Sequence, residues 1–280
     1  MLAASNGRAS VGDGGGANKM AGIRVINYCW RLLVTGFCFG GFAIGGLLSA
    51  IVLSVMQLLP GDRRTRQRRS RRVVSRMFGL MIQTLCVTGT MRLHVSGLEK
   101  FEQYPGSLVL ANHPTLIDVV ILLWKHPTAG CVVKSKLWKN PFYWGVVRMT
   151  GYIDNASSDA LIDACVERLS VGESLLIFPE GTRTRPGQAL HFVRGAAYVA
   201  LKHGKPLLPV LITCTPPTLT KGAPWYRIPP RAFEIHMKVL DPVAPAALVN
   251  ALEYSPIGAR RLTDALQNYF TDHLAAYGQH

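Results

Sequence analysis

Hydrophobic positions along this chain fall into two regimes. Residues 32–59 run for 28 positions without a charged side chain, longer than the roughly 20 helical residues needed to cross a hydrocarbon core. A weaker apolar stretch follows at 73–87. From residue 91 the pattern changes. Short apolar runs at 92–95, 107–111, 131–133, 152–154, 174–178 and 207–213 read as buried strands, and segments 116–125, 140–149, 158–170 and 194–203 between them suit helices. Phe233-Glu-Ile-His-Met-Lys-Val239 alternates strictly and predicts a half-exposed strand, while 257–276 predicts a closing amphipathic helix. The five prolines at 216, 217, 224, 229 and 230 make the stretch between the last two strands a loop. Strands alternating with helices predict an α/β fold whose central, mostly buried β-sheet is flanked by helices, preceded by an N-terminal membrane helix or helix pair.

Three regions follow from this pattern: a flexible Gly/Ala/Ser-rich tail at 1–25, membrane-anchoring helices with a basic juxtamembrane cluster at 26–87, and a compact domain at 88–280. The apolar run is too long and too late for a secretory signal and is expected to stay. Its Gly36-x-x-x-Gly40 and Gly41-x-x-x-Gly45 spacings allow another helix to approach closely. Either one crossing or a helix pair dipping into a single leaflet fits, and both put the following domain on the cytoplasmic side.

Charge sharpens the membrane reading. The chain has 31 Lys and Arg against 16 Asp and Glu, a net charge of +15, which implies an anionic partner. Eight arginines lie between Arg63 and Arg76, directly after the apolar run, where anionic lipid headgroups are the expected partner. No nucleic-acid module signature is present and no aromatics interleave the basic run, so nucleic acid is not an expected partner. Six scattered cysteines without C-x-x-C spacing read as buried hydrophobes rather than a disulfide framework.

Two stretches carry candidate chemistry. Asn112-His113-Pro114-Thr-Leu-Ile-Asp118 follows a strand and opens a helix, with Asn112 as the cap, so that His113 would project at a helix N-terminus and Asp118 on the second turn. A carboxylate on one ring nitrogen of His113 fixes its tautomer and frees the other nitrogen as a base. Phe178-Pro-Glu180-Gly181-Thr182-Arg183 leaves another strand. Gly181 permits the turn, Arg183 offers a fork matched to two phosphate oxygens, and Glu180 can accept from a substrate hydroxyl. An ion pair between Glu180 and Arg183 is the plainer alternative.

In this order the two stretches resemble the first and third blocks of the glycerolipid acyltransferases, the family of 1-acylglycerol-3-phosphate (lysophosphatidic acid) acyltransferase. Lys205-Pro-Leu-Leu-Pro209-Val210 resembles the fourth block. The resemblance, over roughly residues 97–213, implies an acyl-CoA or acyl carrier protein thioester as donor and a lysophospholipid-like acceptor, with no cofactor or metal. It implies His113 as general base, Asp118 as its partner, and Asn112, Glu180, Gly181, Thr182 and Arg183 around the acceptor. Backbone N–H groups near Pro114–Thr115 would meet the oxyanion. Where the family's second block has Arg, this chain has Asn155, so Lys134, Arg148 or Arg194 would have to supply the positive charge. A different lyso-lipid acceptor, or a non-catalytic lipid-binding protein on the same fold, are the alternatives.

Overall fold

The computed structural model describes residues 14–155, 158–249 and 253–277. Two long helices, α1 (Gly14–Met56) and α2 (Arg63–Val87), form an N-terminal hairpin. The domain that follows runs β1 (Met91–Ser96), α3 (Lys100–Gln103), β2 (Leu108–Ala111), α4 (Asp118–Lys125), β3 (Gly130–Val133), α5 (Ser135–Trp138), α6 (Trp144–Thr150) and β4 (Ile153–Asp154). It continues with α7 (Ser158–Ser170), β5 (Leu175–Ile177), α8 (Gly195–His203), β6 (Leu207–Thr215), β7 (Phe233–Val239), α9 (Pro245–Leu248) and α10 (Pro256–Tyr277).

The seven strands make one sheet in the order β1-β7-β6-β2-β5-β3-β4. All neighbours are parallel except β6 and β7. β2 lies at the centre with every residue buried, as expected of a parallel strand covered on both faces. Its side chains alternate. Val109 and Ala111 enter the core beneath α2 and α4, whereas Leu108 and Leu110 enter the core beneath α7, α8 and α10. The α/β expectation is met, and a fold with its strand ends gathered on one side positions loops for a site at the C-terminal edge.

Within the segment expected to be a flexible tail, 1–25, α1 is already helical at Gly14; residues 1–13 lie outside the described residues. Extending an existing helix adds one hydrogen bond per residue without a new nucleation cost, and Ala17, Lys19, Met20 and Ala21 are good helix formers.

One face of α1 is docked on the domain. Arg31, Val34, Thr35, Cys38, Ser49 and Leu53 are buried at helical spacing, whereas Trp30, Leu33, Phe37, Ile44, Leu48, Ile51 and Val55 point outward. Close approach is made possible by glycine: a Cβ at Gly46 would stand 2.7 Å from Phe142 O, and one at Gly145 of α6 would stand 2.4 Å from Ala50 Cβ. Gly45 meets Met77 of α2, but Gly40 and Gly41 face open space, so the small-residue spacing is only partly used for packing. Arg31 is anchored by Pro229 O (2.9 Å) and Pro230 O (2.7 Å).

One of the eight arginines is likewise turned inward. Arg71 is buried against Glu173 (3.2 Å) and donates to Thr150 O (2.8 Å) and Thr128 O (3.0 Å). Arg168 joins the same carboxylate at 3.1 Å and reaches Gln67 Oε1 of α2 at 2.8 Å. The network fastens α2 to the domain.

His126, at the end of α4, stacks on Phe101 with ring centroids 4.6 Å apart and leaves a buried Nε2 without a partner. Burial lowers its pKa from 6.5 to about 4. The unfolded chain therefore takes up a proton near pH 6.5 that the folded protein refuses until about pH 4, so stability falls as pH drops through that window. A loss of about 3 kcal/mol is expected in acid denaturant titrations. His126→Phe should flatten this contribution, and an unchanged pH dependence in that variant would remove His126 as its source.

Candidate active site

β2 and β5 are parallel neighbours, with Leu110 opposite Ile177. The chain leaving each strand therefore emerges at the same sheet edge, which brings His113 and Phe178 together across 65 residues of sequence. Their rings stack at 4.2 Å with planes 25° apart. The two loops are zipped by the backbone, with Thr184 N donating to His113 O at 3.1 Å.

His113 Nδ1 lies 2.9 Å from Asp118 Oδ2. An ionised carboxylate only accepts, so the Nδ1 position carries the proton and Nε2 presents a lone pair. Asp118 has no exposed side-chain surface, whereas the His113 side chain remains 16% exposed. Thr115 fixes the carboxylate twice, through N to Oδ2 at 2.6 Å and Oγ1 to Oδ1 at 2.5 Å. From the sequence Thr115 was expected to offer only its backbone N–H; its hold on Asp118 was missed, although a Thr three residues before an acid at a helix start is a known capping pattern that could have flagged it.

Several expectations for this turn are corrected. α4 begins at Asp118 rather than just after Asn112, so Asp118 is in the first turn and His113 stands in the preceding loop. Asn112 does not cap the helix. Its amide pairs with β6 instead, donating to Ile212 O (2.8 Å) and accepting from Ile212 N (2.7 Å), because β2 ends beside β6 and leaves that backbone pair open. The expected oxyanion donors near Pro114–Thr115 are also unsuited: proline has no N–H, and that of Thr115 is taken by Asp118.

Glu180 turns inward too. Its Oε1 accepts from His113 N at 2.7 Å, and its Oε2 accepts from Thr184 Oγ1. With both oxygens used and the residue buried, Glu180 holds the His113 backbone rather than facing a substrate hydroxyl. Burial raises its carboxyl above the usual range, opposed by the hydrogen bonds from Thr184 and His113. The alternative ion pair with Arg183 is also absent among the described residues.

Gly181 has φ +64°, a left-handed turn that suits glycine. Arg183 Nη1 donates to Leu219 O (2.7 Å) and Thr220 O (3.1 Å) in the loop between β6 and β7. Thr182 Oγ1 accepts from Lys134 Nζ at 3.3 Å. Of the three cations named for the missing charge, Lys134 reaches the site, whereas Arg148 stacks over Trp144 and Arg194 starts α8. Asn155 carries no charge there; its Oδ1 accepts from Ser135 N, one residue from Lys134.

Behind the loops lies a cavity of about 160 Å³ bordered by Asn112, Thr115, Glu180, Thr184 and Cys214, below the range of about 300–1,000 Å³ for ligand pockets. A different cluster, His94, Glu234 and His236, brings possible metal-ligand atoms within 4.8 Å of one another. It sits on the β1–β7 edge, away from His113, with Glu234 engaged by Arg92 at 2.8 Å.

Residues 92–213 match the family model described as Acyltransferase. The chain is similar to a 1-acyl-sn-glycerol-3-phosphate acyltransferase of Helicobacter pylori, 34% identical over 124 residues that cover 41% of this chain and 52% of that protein. A protein of the same description from Limnanthes douglasii is 30% identical over 145 residues, 49% of this chain and 50% of its own. The chain thus spans about half the length of these curated relatives. Among solved structures it is similar to a 1-acyl-sn-glycerophosphate (LPA) acyltransferase from Thermotoga maritima, with a TM-score of 0.67 and 24% identity over 90% of this chain and 98% of that one. At that identity the likeness speaks for the fold. The segment bearing His113, Asp118 and Arg183 is thus the part that matches the Acyltransferase model, and it is set in a fold that this chain shares along most of its length with the Thermotoga protein.

Proposed function

We infer that this chain is a membrane-associated O-acyltransferase that moves a fatty acyl group from a thioester, acyl-CoA or acyl carrier protein, to the free hydroxyl of lysophosphatidic acid. The observation that carries this reading is the His113–Asp118 pair at 2.9 Å, set at a sheet edge beside Lys134 and Arg183. In this reading His113 Nε2 removes the acceptor hydroxyl proton as its oxygen attacks the thioester carbonyl. The tetrahedral oxyanion then collapses, the C–S bond breaks, and the His113 proton passes to the leaving thiolate. Asp118 stays ionised and stabilises the transient imidazolium; neither a cofactor nor a metal takes part. Arg183 and Lys134 receive the acceptor phosphate.

The membrane half of the proposal rests on α1. Its span Met20–Met56 contains an 18-residue window with a mean hydropathy of 2.1 and is long and apolar enough to cross. Yet its contacts with the domain extend from Arg31, held by Pro229 O and Pro230 O, to Ala50, facing Gly145. A helix docked on one face along that length leaves its outward stripe for lipid, which favours the one-leaflet arrangement with that stripe inserted. The arginines that remain outward, Arg63, Arg64, Arg68, Arg72 and Arg76, then meet anionic headgroups from the cytoplasmic side.

An acceptor panel tests the reading. Purified protein in vesicles, given an acyl thioester, should acylate lysophosphatidic acid in preference to monoacylglycerol, and Arg183→Ala should raise the lysophosphatidic acid KM about 10–100-fold. Equal turnover of the uncharged acceptor would contradict phosphate recognition.

A further inference from the structure

The loop between β6 and β7 is built around one strained residue. Leu219 has φ +51°, the only non-glycine residue with positive φ among the described residues, a conformation that is rare for a bulky side chain. Its side chain is buried, and its carbonyl accepts from both Arg183 Nη1 (2.7 Å) and Leu116 N (3.1 Å). Leu219 thereby ties the loop to both functional stretches. A turn follows at once, with Ala223 N donating to Thr220 O at 3.1 Å and Gly222 at φ +84°. Lys221 lies inside that turn, exposed on a backbone held from both sides.

Its surroundings are cationic. Burial lowers the Lys134 pKa first, and the positive fields of Lys221, Arg183 and Lys136 lower it further. Lys134, Arg183 and Lys221 have no ion pair with a carboxylate among the described residues. The three come from separate segments: the end of β3, the loop after β5 and the loop after β6. Converging like charges repel one another, and a bound anion converts that repulsion into attraction. A doubly charged phosphate monoester suits three cations better than a headgroup phosphate carrying a single charge.

We propose that Lys221 is a specificity-determining residue, completing with Lys134 and Arg183 a three-cation cradle that selects lyso-lipid acceptors ending in a phosphate monoester over those with a zwitterionic headgroup. The proposal rests on the acyl-transfer reading. It assigns Lys221 to the acceptor phosphate rather than to a phosphate of the thioester donor.

The test uses the full chain in vesicles, with lysophosphatidic acid and lysophosphatidylcholine as alternative acceptors. Lys221→Ala should raise the lysophosphatidic acid KM about 10–100-fold and leave the donor KM and kcat within about twofold. Its preference for lysophosphatidic acid over lysophosphatidylcholine should shrink accordingly, and Lys221→Arg should retain most of it. An unchanged acceptor KM overturns the proposal, as does a rise in donor KM instead. A defect that Lys221→Arg fails to restore would mark a structural role and also overturn it. Failure of the wild-type protein to acylate any lyso-lipid would instead sink the acyl-transfer reading, and the cradle with it.

Discussion

His113→Ala should lower thioester-dependent acylation by about 10²–10⁴-fold while leaving the fold and vesicle binding intact. The ring stacks on Phe178 and remains partly exposed, so its loss opens no large core cavity. Asp118→Asn should cost a similar factor for a different reason. An amide in place of the carboxylate can donate to Nδ1, which drives the imidazole toward the wrong tautomer and also removes the stabilising charge. Because Asp118 also accepts from Thr115 N and Oγ1, the variant should be checked for folding by circular dichroism. The double variant should be little slower than either single one, because the pair acts as a unit. Additive losses would mean that the two residues act separately.

Arg71→Ala is expected to be the most destabilising change in the basic cluster, by about 3–5 kcal/mol. It strands Glu173, which keeps only Arg168 as a cation and already has one buried oxygen without a partner, and it leaves the Thr128 and Thr150 carbonyls without their guanidinium. In thermal unfolding this corresponds to a fall on the order of 10 °C for a chain of this size. Substituting Arg64 or Arg68, which are exposed, should change stability by less than about 0.5 kcal/mol. Each should instead weaken binding to anionic vesicles by about 1 kcal/mol. If Arg71→Ala behaved like those two, the buried network would not be what fastens α2 to the domain.

The contrast between Arg71 and its neighbours shows where a sequence stops speaking. Eight arginines in fourteen residues announce a basic surface, but the partner that turns one of them inward, Glu173, lies 102 residues away. Local pattern sufficed for the sheet: alternation and short apolar runs located its strands, with β4 and β5 shorter than their apolar runs and β6 longer. Strand pairing was not legible: His113 meets Phe178 because β2 and β5 pair in parallel, with Leu110 opposite Ile177, and nothing local announces that partnership. Side-chain direction was not legible. Glu180 looked available because nothing local shows that its oxygens meet His113 N and Thr184, and Asn112 looked like a cap because its β6 partner is 100 residues on. Lys221 carried no signal at all, since a lone lysine in a proline-rich loop becomes meaningful only when Leu219 fixes that loop against Arg183.

Direct transfer from thioester to acceptor hydroxyl, with His113 as the base, passes through no acyl-protein stage. A rapid-quench single turnover of the full chain in vesicles, with isotopically labelled acyl-CoA and lysophosphatidic acid, can follow lipid product and intact protein mass together. The prediction is labelled phosphatidic acid formed in step with free thiol, no acylated protein at any time point, and no product burst from His113→Ala. Accumulation of an acyl-protein adduct, or a His113→Ala protein that forms product at the wild-type rate, would contradict it.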